Sequence, residues 1–138
     1  MKRIISIFTF LLLVSCQSEI KKEDLSKLNG YWEIKEVSMP SGEKKDYKVN
    51  ETIDYFQVKN DVGFRQKVMP RFDGKFGTND IKEEIKIIEK DAHFFIEFKT
   101  NYGKWQEEII TIADSTLVLK NKEELIYEYK RHIPFSLK

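Results

Sequence analysis

The feature that most constrains the fold is an alternation of strand-like runs and turn signals from Gly30 to Arg131. Within a run, apolar and polar residues alternate with period two, as in a strand that has one buried face. In the first run, for example, Glu33 separates Trp32 from Ile34. Eight strands are predicted in this way, at roughly 31–39, 51–59, 62–69, 78–89, 93–100, 104–112, around Leu117 and Leu119, and 124–131.

Short turn signals join most of these runs, among them Asn60-Asp61, Asn101-Tyr102-Gly103 and Asp114-Ser115. Short connections favour an antiparallel meander over βαβ units, which need long crossovers. Eight antiparallel strands leave unpaired edges unless the sheet closes on itself. We therefore predict an all-β fold, an eight-stranded antiparallel up-and-down β-barrel.

A helix is the alternative for residues 79–91, because Ile81, Ile85 and Ile88 also fit one helical face. The neighbouring strands and the β-branching of isoleucine favour a strand.

The lengths of the connections predict a barrel that is closed by short turns at one end and has long loops at the other, open end. If the first strand runs upward, the turns after the second, fourth and sixth strands lie at the bottom, and all three are short. The long connections at roughly 40–50 and 70–78 lie at the top.

Aromatic side chains at an open end are suited to contact a ligand with an apolar part. The candidates in or beside the top loops are Tyr47, Phe72, Phe76, Tyr102 and Trp105. The alternative is that these rings fold inward as a hydrophobic plug.

The first residues have the pattern of a targeting segment. Met1-Lys2-Arg3 is basic, Ile4–Val14 is apolar, and the small residue Ser15 precedes Cys16, the only cysteine. This apolar run is too short to cross a bilayer core, which needs about 20 helical residues. We interpret residues 1–15 as a secretory signal peptide that ends in a sequence resembling a bacterial lipobox.

The lipobox pattern predicts that Cys16 is acylated, with chains such as palmitate, and becomes the mature N-terminus. More than one acyl chain suffices for stable membrane attachment. Residues 16–29 would then be a polar tether with a short helical turn, in which Leu25 and Leu28 face the base of the barrel. The expected location is the bacterial cell envelope, lipid-anchored in the outer membrane.

Charge and motif content argue against several other functions. The net charge is +1, from 24 basic and 23 acidic residues, whereas a phosphate-binding face needs a clear basic excess. We therefore expect no nucleic-acid partner. His93 and His132 are the only histidines and do not have metal-ligand spacing, and there is no Gly-x-Ser-x-Gly elbow. We expect no enzyme activity, hence no catalytic residues, no metal and no cofactor.

The remaining charged residues are predicted on the outer face of the barrel. Glu83-Glu84 and Glu107-Glu108 are adjacent pairs, so each pair splits across the two faces of its strand. Of these four glutamates, Glu108 is the one that could point inward, as a single carboxylate without a paired partner. Arg65 and Lys67 alternate with Phe64 and are placed outside, because Phe64 is taken as part of the apolar, inward face.

Four segments, in this order, carry a family resemblance: Gly30-x-Trp32, the run Phe64-Arg65-Gln66-Lys67-Val68-Met69-Pro70 with Phe72-Asp73-Gly74, Thr100-x-Tyr102-x-x-Trp105, and Tyr127-x-Tyr129-Lys130-Arg131. With them, the chain from Leu28 to Arg131 resembles the lipocalin-like domains of small bacterial lipoproteins. The fatty-acid-binding proteins fit less well, because residues 39–50 are too few for the helix pair that they carry there.

The resemblance implies a single lipocalin-like barrel domain over residues 30–138. It also implies that Arg131 lies across the Trp32 ring and closes the bottom of the barrel. A barrel of this family implies a small apolar or amphiphilic ligand at the open end. The alternative is a structural or adaptor module that binds an envelope protein, with a barrel filled by its own side chains, including its ten phenylalanines and six tyrosines.

Overall fold

The computed structural model describes residues 19–48 and 50–134. The predicted signal peptide and the predicted acylation site at Cys16 lie outside these residues.

The described residues form one short 3-10 helix and nine strands. The helix spans Lys22–Leu28, and the strands are β1 (Gly30–Ser38), β2 (Lys44–Asp46), β3 (Ile53–Lys59), β4 (Val62–Pro70), β5 (Phe76–Lys90), β6 (His93–Thr100), β7 (Gly103–Ile112), β8 (Thr116–Asn121) and β9 (Ile126–Arg131). All neighbouring strands are antiparallel, in the order β2-β1-β3-β4-β5-β6-β7-β8-β9, and β9 pairs back with β1. Eight of the nine strands therefore close a barrel, which confirms the predicted fold.

The short strand β2 is the one strand that the sequence pattern missed. Its residues Lys44, Lys45 and Asp46 are all exposed and polar, so they show no alternation. β2 pairs with the end of β1 over Glu36–Ser38, where β3 no longer does. Of the segment at 79–91, residues 79–90 belong to β5, so it is a strand, as its β-branched residues predicted.

The two tight turns β3–β4 and β5–β6 each have two successive residues in the left-handed backbone region. Asn60 and Asp61 have φ values of 54° and 66° between β3 and β4. Asn and Asp tolerate this left-handed region, and two such residues in succession form the hairpin turn that matches the twist of the strands. Asp91 and Ala92 have the same conformation between β5 and β6, with φ values of 51° and 64°.

Gly63, just after the β3–β4 turn, is required by a close approach of backbone. A Cβ at this position would overlap the carbonyl oxygen of Gln57. The φ of Gly63 is not in the left-handed region, so the constraint is steric only.

We expect Gly63→Ala to lower the free energy of unfolding by about 1–3 kcal/mol, because strands β3 and β4 must move apart to accept the methyl group. The measurement is urea denaturation followed by far-UV circular dichroism. Val62→Ala, at an exposed neighbouring position, serves as the control and should change stability by less than about 0.5 kcal/mol. Equal stability of Gly63→Ala and the wild type would contradict this packing.

The hydrophobic core lies inside the barrel and includes Trp32, near the start of β1. Its fully buried side chains include Trp32, Phe56, Phe98, Leu117 and Leu119. The 3-10 helix packs onto the same core, and its residues Leu25 and Leu28 are buried with the barrel side chains. The residues immediately before Gly30 thus contribute to the folded domain.

Candidate functional site

Arg131 lies at the end of the barrel that the helix covers. Its guanidinium carbon is 4.0 Å from the centroid of the Trp32 ring. The same guanidinium donates three hydrogen bonds, to the carbonyl oxygens of Asp114 (2.8 Å), Asn29 (2.6 Å) and Lys27 (2.7 Å). One side chain therefore ties together the β7–β8 turn, the helix end, the start of β1 and the tryptophan.

Gly30 makes this arrangement sterically feasible. It has φ 121°, and a Cβ there would lie 2.6 Å from a guanidinium nitrogen of Arg131. The Trp32 indole nitrogen donates to the carbonyl oxygen of Leu28 at 2.9 Å, so the ring is held from the helix side as well. In the Gly-x-Trp motif, the glycine thus leaves room for the arginine that covers the tryptophan. The result is a sealed end of the barrel.

A cavity of about 330 Å³ lies toward the opposite end. It lies where β1 and β3 separate, since Trp32 and Asp54 are the last residues that pair between these two strands. Asn50 lies at this gap, and its side-chain amide donates to the carbonyl oxygen of Ile34 at 2.9 Å. The lining residues are Trp32, Ile34, Val37, Tyr47, Asn50, Thr52, Ile53, Asp54, Lys67, Tyr127 and Tyr129.

The lining combines apolar surface with one ion pair. Ile34 and Val37 supply aliphatic surface, and tyrosine rings from β9 lie beside them. Lys67 donates to Asp54 at 2.7 Å, and the Asp54 side chain is only 6% exposed. A molecule in this cavity would meet apolar walls and a charged patch together.

Arg65 points into the barrel, so the prediction that it lies outside is wrong. It donates two hydrogen bonds to the Glu83 carboxylate, at 2.8 and 2.9 Å. Its guanidinium lies 4.2 Å from the Phe98 ring centroid and 5.9 Å from that of Phe56. A planar guanidinium tolerates such burial because it can stack on rings while its donors pair with a carboxylate. Lys67 shares this face, since it pairs with the buried carboxylate of Asp54.

The error has a physical cause on the other face of β4. Phe64 belongs to a row of rings on the outer surface of the barrel, in which Tyr31 stacks on Phe76 with centroids 4.0 Å apart. Tyr55 joins this row, 4.7 Å from Tyr31 and 5.9 Å from Phe64. Aromatic residues on an outer face give the same alternation as an apolar inward face. The prediction for β4 therefore exchanged its inner and outer faces.

Glu107, not Glu108, is the carboxylate of β7 that points inward. Its side chain is 9% exposed, and its Oε2 atom is 3.8 Å from an Arg65 guanidinium nitrogen. Burial raises the pKa of the Glu107 carboxyl above its ordinary value, and the charge of Arg65 opposes that rise. Glu108 lies on the opposite face, where its carboxylate is 2.7 Å from the Nδ1 atom of His93.

The five aromatic residues predicted at the open end do not form one cluster. Tyr47 lines the cavity. Trp105 stacks on a buried phenylalanine ring of β6, with centroids 5.2 Å apart, and is partly exposed. Phe76 belongs to the outer row of rings, and Phe72 and Tyr102 are largely exposed. The predicted set therefore supplies one residue of the cavity wall, whereas the charged residues of the interior were missed.

The described part of the chain contains no group of three or more His, Cys, Asp or Glu side chains placed to hold a metal ion. Each histidine faces a glutamate instead, since the Nδ1 atom of His132 is 3.5 Å from Glu33. No helix within residues 19–48 and 50–134 has the length and apolar character to span a membrane.

The structure thus defines a small β-barrel that is sealed at one end and has a cavity toward the other. A family model described as a lipocalin-like domain matches residues 28–119, which is more than half of the chain. The chain therefore belongs to the lipocalin-like domain family, and the resemblance in its sequence motifs is confirmed. Barrels of this family are typically non-catalytic binding folds.

Among solved structures, the chain is similar to the crystal structure of a lipocalin-like protein from Bacteroides uniformis. The two share 17% sequence identity with a TM-score of 0.50, and the match covers 77% of this chain and 99% of that chain. At this identity the likeness shows the fold alone. A search of curated proteins found no match.

Proposed function

We propose that this protein is a non-catalytic lipoprotein of the bacterial cell envelope whose barrel binds a small apolar or amphiphilic ligand. The observation that carries the proposal is the cavity of about 330 Å³, which falls within the usual range for small-molecule sites, about 300–1,000 Å³. Trp32 lines this cavity, and the Arg131 guanidinium covers the Trp32 ring at the end of the barrel that the helix packs against.

The chemistry of the walls supports an amphiphile. Ile34, Val37 and the Tyr127 ring offer apolar contact to a chain or ring system. The Asp54–Lys67 pair offers hydrogen-bond partners to a polar group at the same site. A barrel filled by its own side chains, as the adaptor alternative requires, would lack this space.

The test is native mass spectrometry of the protein purified from its own cell envelope. We expect the wild type to release a small molecule on collisional activation. Val37→Phe places a larger side chain in the cavity wall and should abolish or strongly reduce that release. Ile110→Phe, at an exposed position on β7, is the matched control and should retain the molecule. Equal release from Val37→Phe and the wild type would contradict binding in this cavity, and no release from the wild type would contradict the binding function.

The anchoring half of the proposal rests on Cys16. We expect Cys16→Ser to move the protein from the membrane fraction to the soluble fraction, because no thiol remains to be acylated. The measurement is fractionation followed by immunoblotting. Ser15→Ala keeps a small residue before the cysteine and should remain with the membrane. A Cys16→Ser protein that stays membrane-bound at full length would contradict the lipoprotein assignment.

A further inference from the structure

We propose that the ligand is uncharged and carries a hydroxyl group that hydrogen-bonds to the hydroxyl of Tyr129 in the wall of the cavity. This inference rests on the proposed ligand-binding function and adds the chemical class of the head group.

Tyr129 is both buried and part of the cavity wall. It lies on β9, belongs to the core cluster of the barrel and is only 6% exposed. It pairs across the sheet with Ile34 of β1, and both residues line the cavity. A molecule in the cavity would therefore contact Tyr129.

The hydroxyl of Tyr129 is an unmet hydrogen-bonding group. Within residues 19–48 and 50–134, it makes no hydrogen bond to another residue. In the same part of the chain, the one side-chain polar atom that is both fully enclosed and unpaired is the Oε2 atom of Glu107, so the Tyr129 hydroxyl is open to the cavity. Buried polar groups in native proteins are almost always paired, which points to a partner that enters the cavity.

The other buried polar groups of the cavity wall already have partners. The Trp32 indole nitrogen donates to the carbonyl oxygen of Leu28 at 2.9 Å. The Asp54 carboxylate accepts from Lys67 at 2.7 Å. Among the described lining side chains that are less than one-tenth exposed, the remaining polar group is the Tyr129 hydroxyl.

The charges of the wall disfavour a charged head group. Among the described residues that line the cavity, Asp54 and Lys67 are the only carboxylate and the only ammonium group, and they are bonded to each other. Neither is left to balance a charge on the ligand. A buried charge without a counter-charge is costly, whereas a neutral hydroxyl needs only a hydrogen-bond partner.

A tyrosine is chemically matched to a ligand hydroxyl, because a phenol can both donate and accept a hydrogen bond. Burial, followed by the charge of Asp54, raises the pKa of Tyr129, so its proton stays in place at neutral pH. The apolar part of the ligand would then lie against Ile34 and Val37, which line the same cavity.

The experiment is isothermal titration calorimetry on the full-length protein in phospholipid nanodiscs, with a blank titration into empty nanodiscs subtracted. Three probes share one alkyl chain and differ in the head group: octanol, octylammonium and octanoate. We expect the wild type to bind octanol about tenfold tighter than either charged probe, a difference of about 1.4 kcal/mol.

Two variants that each remove one phenol hydroxyl test the role of Tyr129. Tyr129→Phe keeps the ring and should weaken octanol binding about tenfold, with the affinities for the charged probes unchanged. Tyr55→Phe makes the same change in the row of rings on the outer surface and should bind octanol like the wild type. Circular dichroism checks that both variants are folded.

The outcomes separate this inference from the function on which it rests. Binding of octylammonium or octanoate by the wild type as tightly as octanol would overturn the inference while leaving the binding function in place, and this comparison needs no variant. An unchanged affinity of folded Tyr129→Phe for octanol would mean that water, not the ligand, pairs with the hydroxyl, and would overturn the role of Tyr129. Failure of all three probes to bind would overturn both proposals.

Discussion

Trp32→Ala is expected to lower the free energy of unfolding by about 3–5 kcal/mol, because it removes a fully buried indole and leaves a cavity. The ring lies in the core cluster with the helix residues Leu25 and Leu28, and its nitrogen donates to Leu28. Its loss therefore frees the helix as well as the barrel wall. The measurement is urea denaturation followed by circular dichroism at neutral pH.

Arg131→Ala should destabilise the protein measurably, but less than Trp32→Ala. The cation–π contact with Trp32 contributes about 0.5–2 kcal/mol, depending on how much water the pair excludes. The variant also leaves the carbonyl oxygens of Lys27, Asn29 and Asp114 without this donor. Arg131→Lys keeps the charge but cannot reach three carbonyls in the same way, so it should recover only part of the loss.

The double variant Trp32→Ala/Arg131→Ala tests whether the two residues act together. Residues in contact show coupling energies of about 0.5–3 kcal/mol, whereas independent sites add. We expect the double variant to lose less stability than the sum of the single variants. Simple additivity would mean that the ring and the guanidinium stabilise the closed end independently.

Arg65→Met should be about as damaging, at roughly 3–5 kcal/mol, because removing one partner of a buried ion pair leaves the other charge uncompensated. Glu83 would lose both of its hydrogen bonds from Arg65, and Glu107 would lose its nearest cation. The side chains of all three residues are less than one-fifth exposed. Lys82→Met, on the outer face beside Glu83, is the control and should cost far less.

This loss should depend on pH in a defined direction. Burial already raises the pKa of Glu107 and the charge of Arg65 opposes that rise, so without Arg65 the folded-state pKa of Glu107 rises further and burial of its ionised form is penalised at neutral pH. That penalty vanishes below the unfolded pKa of glutamate, about 4.3, and grows as the pH rises through and above it. The difference between the wild type and Arg65→Met should therefore shrink between pH 7 and pH 4. A difference that does not change with pH would show that Arg65 acts through packing on the Phe98 ring instead.

The sequence by itself determined the strands and the closure of the sheet. Period-two runs, Asn-Asp and Gly turn signals and the lack of long crossovers leave an antiparallel barrel as the simplest solution, and these signals are local. The family resemblance of the motifs likewise implied that Arg131 lies across the Trp32 ring, and the two groups are 4.0 Å apart. The sequence did not predict β2, because a short strand of exposed polar residues shows no alternation.

In β4 and β7, the tertiary structure alone decided which face is the inside. Alternation shows that two faces differ, but it does not show which one turns inward when both carry aromatic or charged residues. In β4 the outer face holds Phe64 within a row of rings, while Arg65 is buried against Phe98 and Glu83. Of the two adjacent glutamates in β7, Glu107 points inward and Glu108 points outward. The cavity exists because β1 and β3 separate above Trp32 and Asp54, a consequence of register that no local signal encodes.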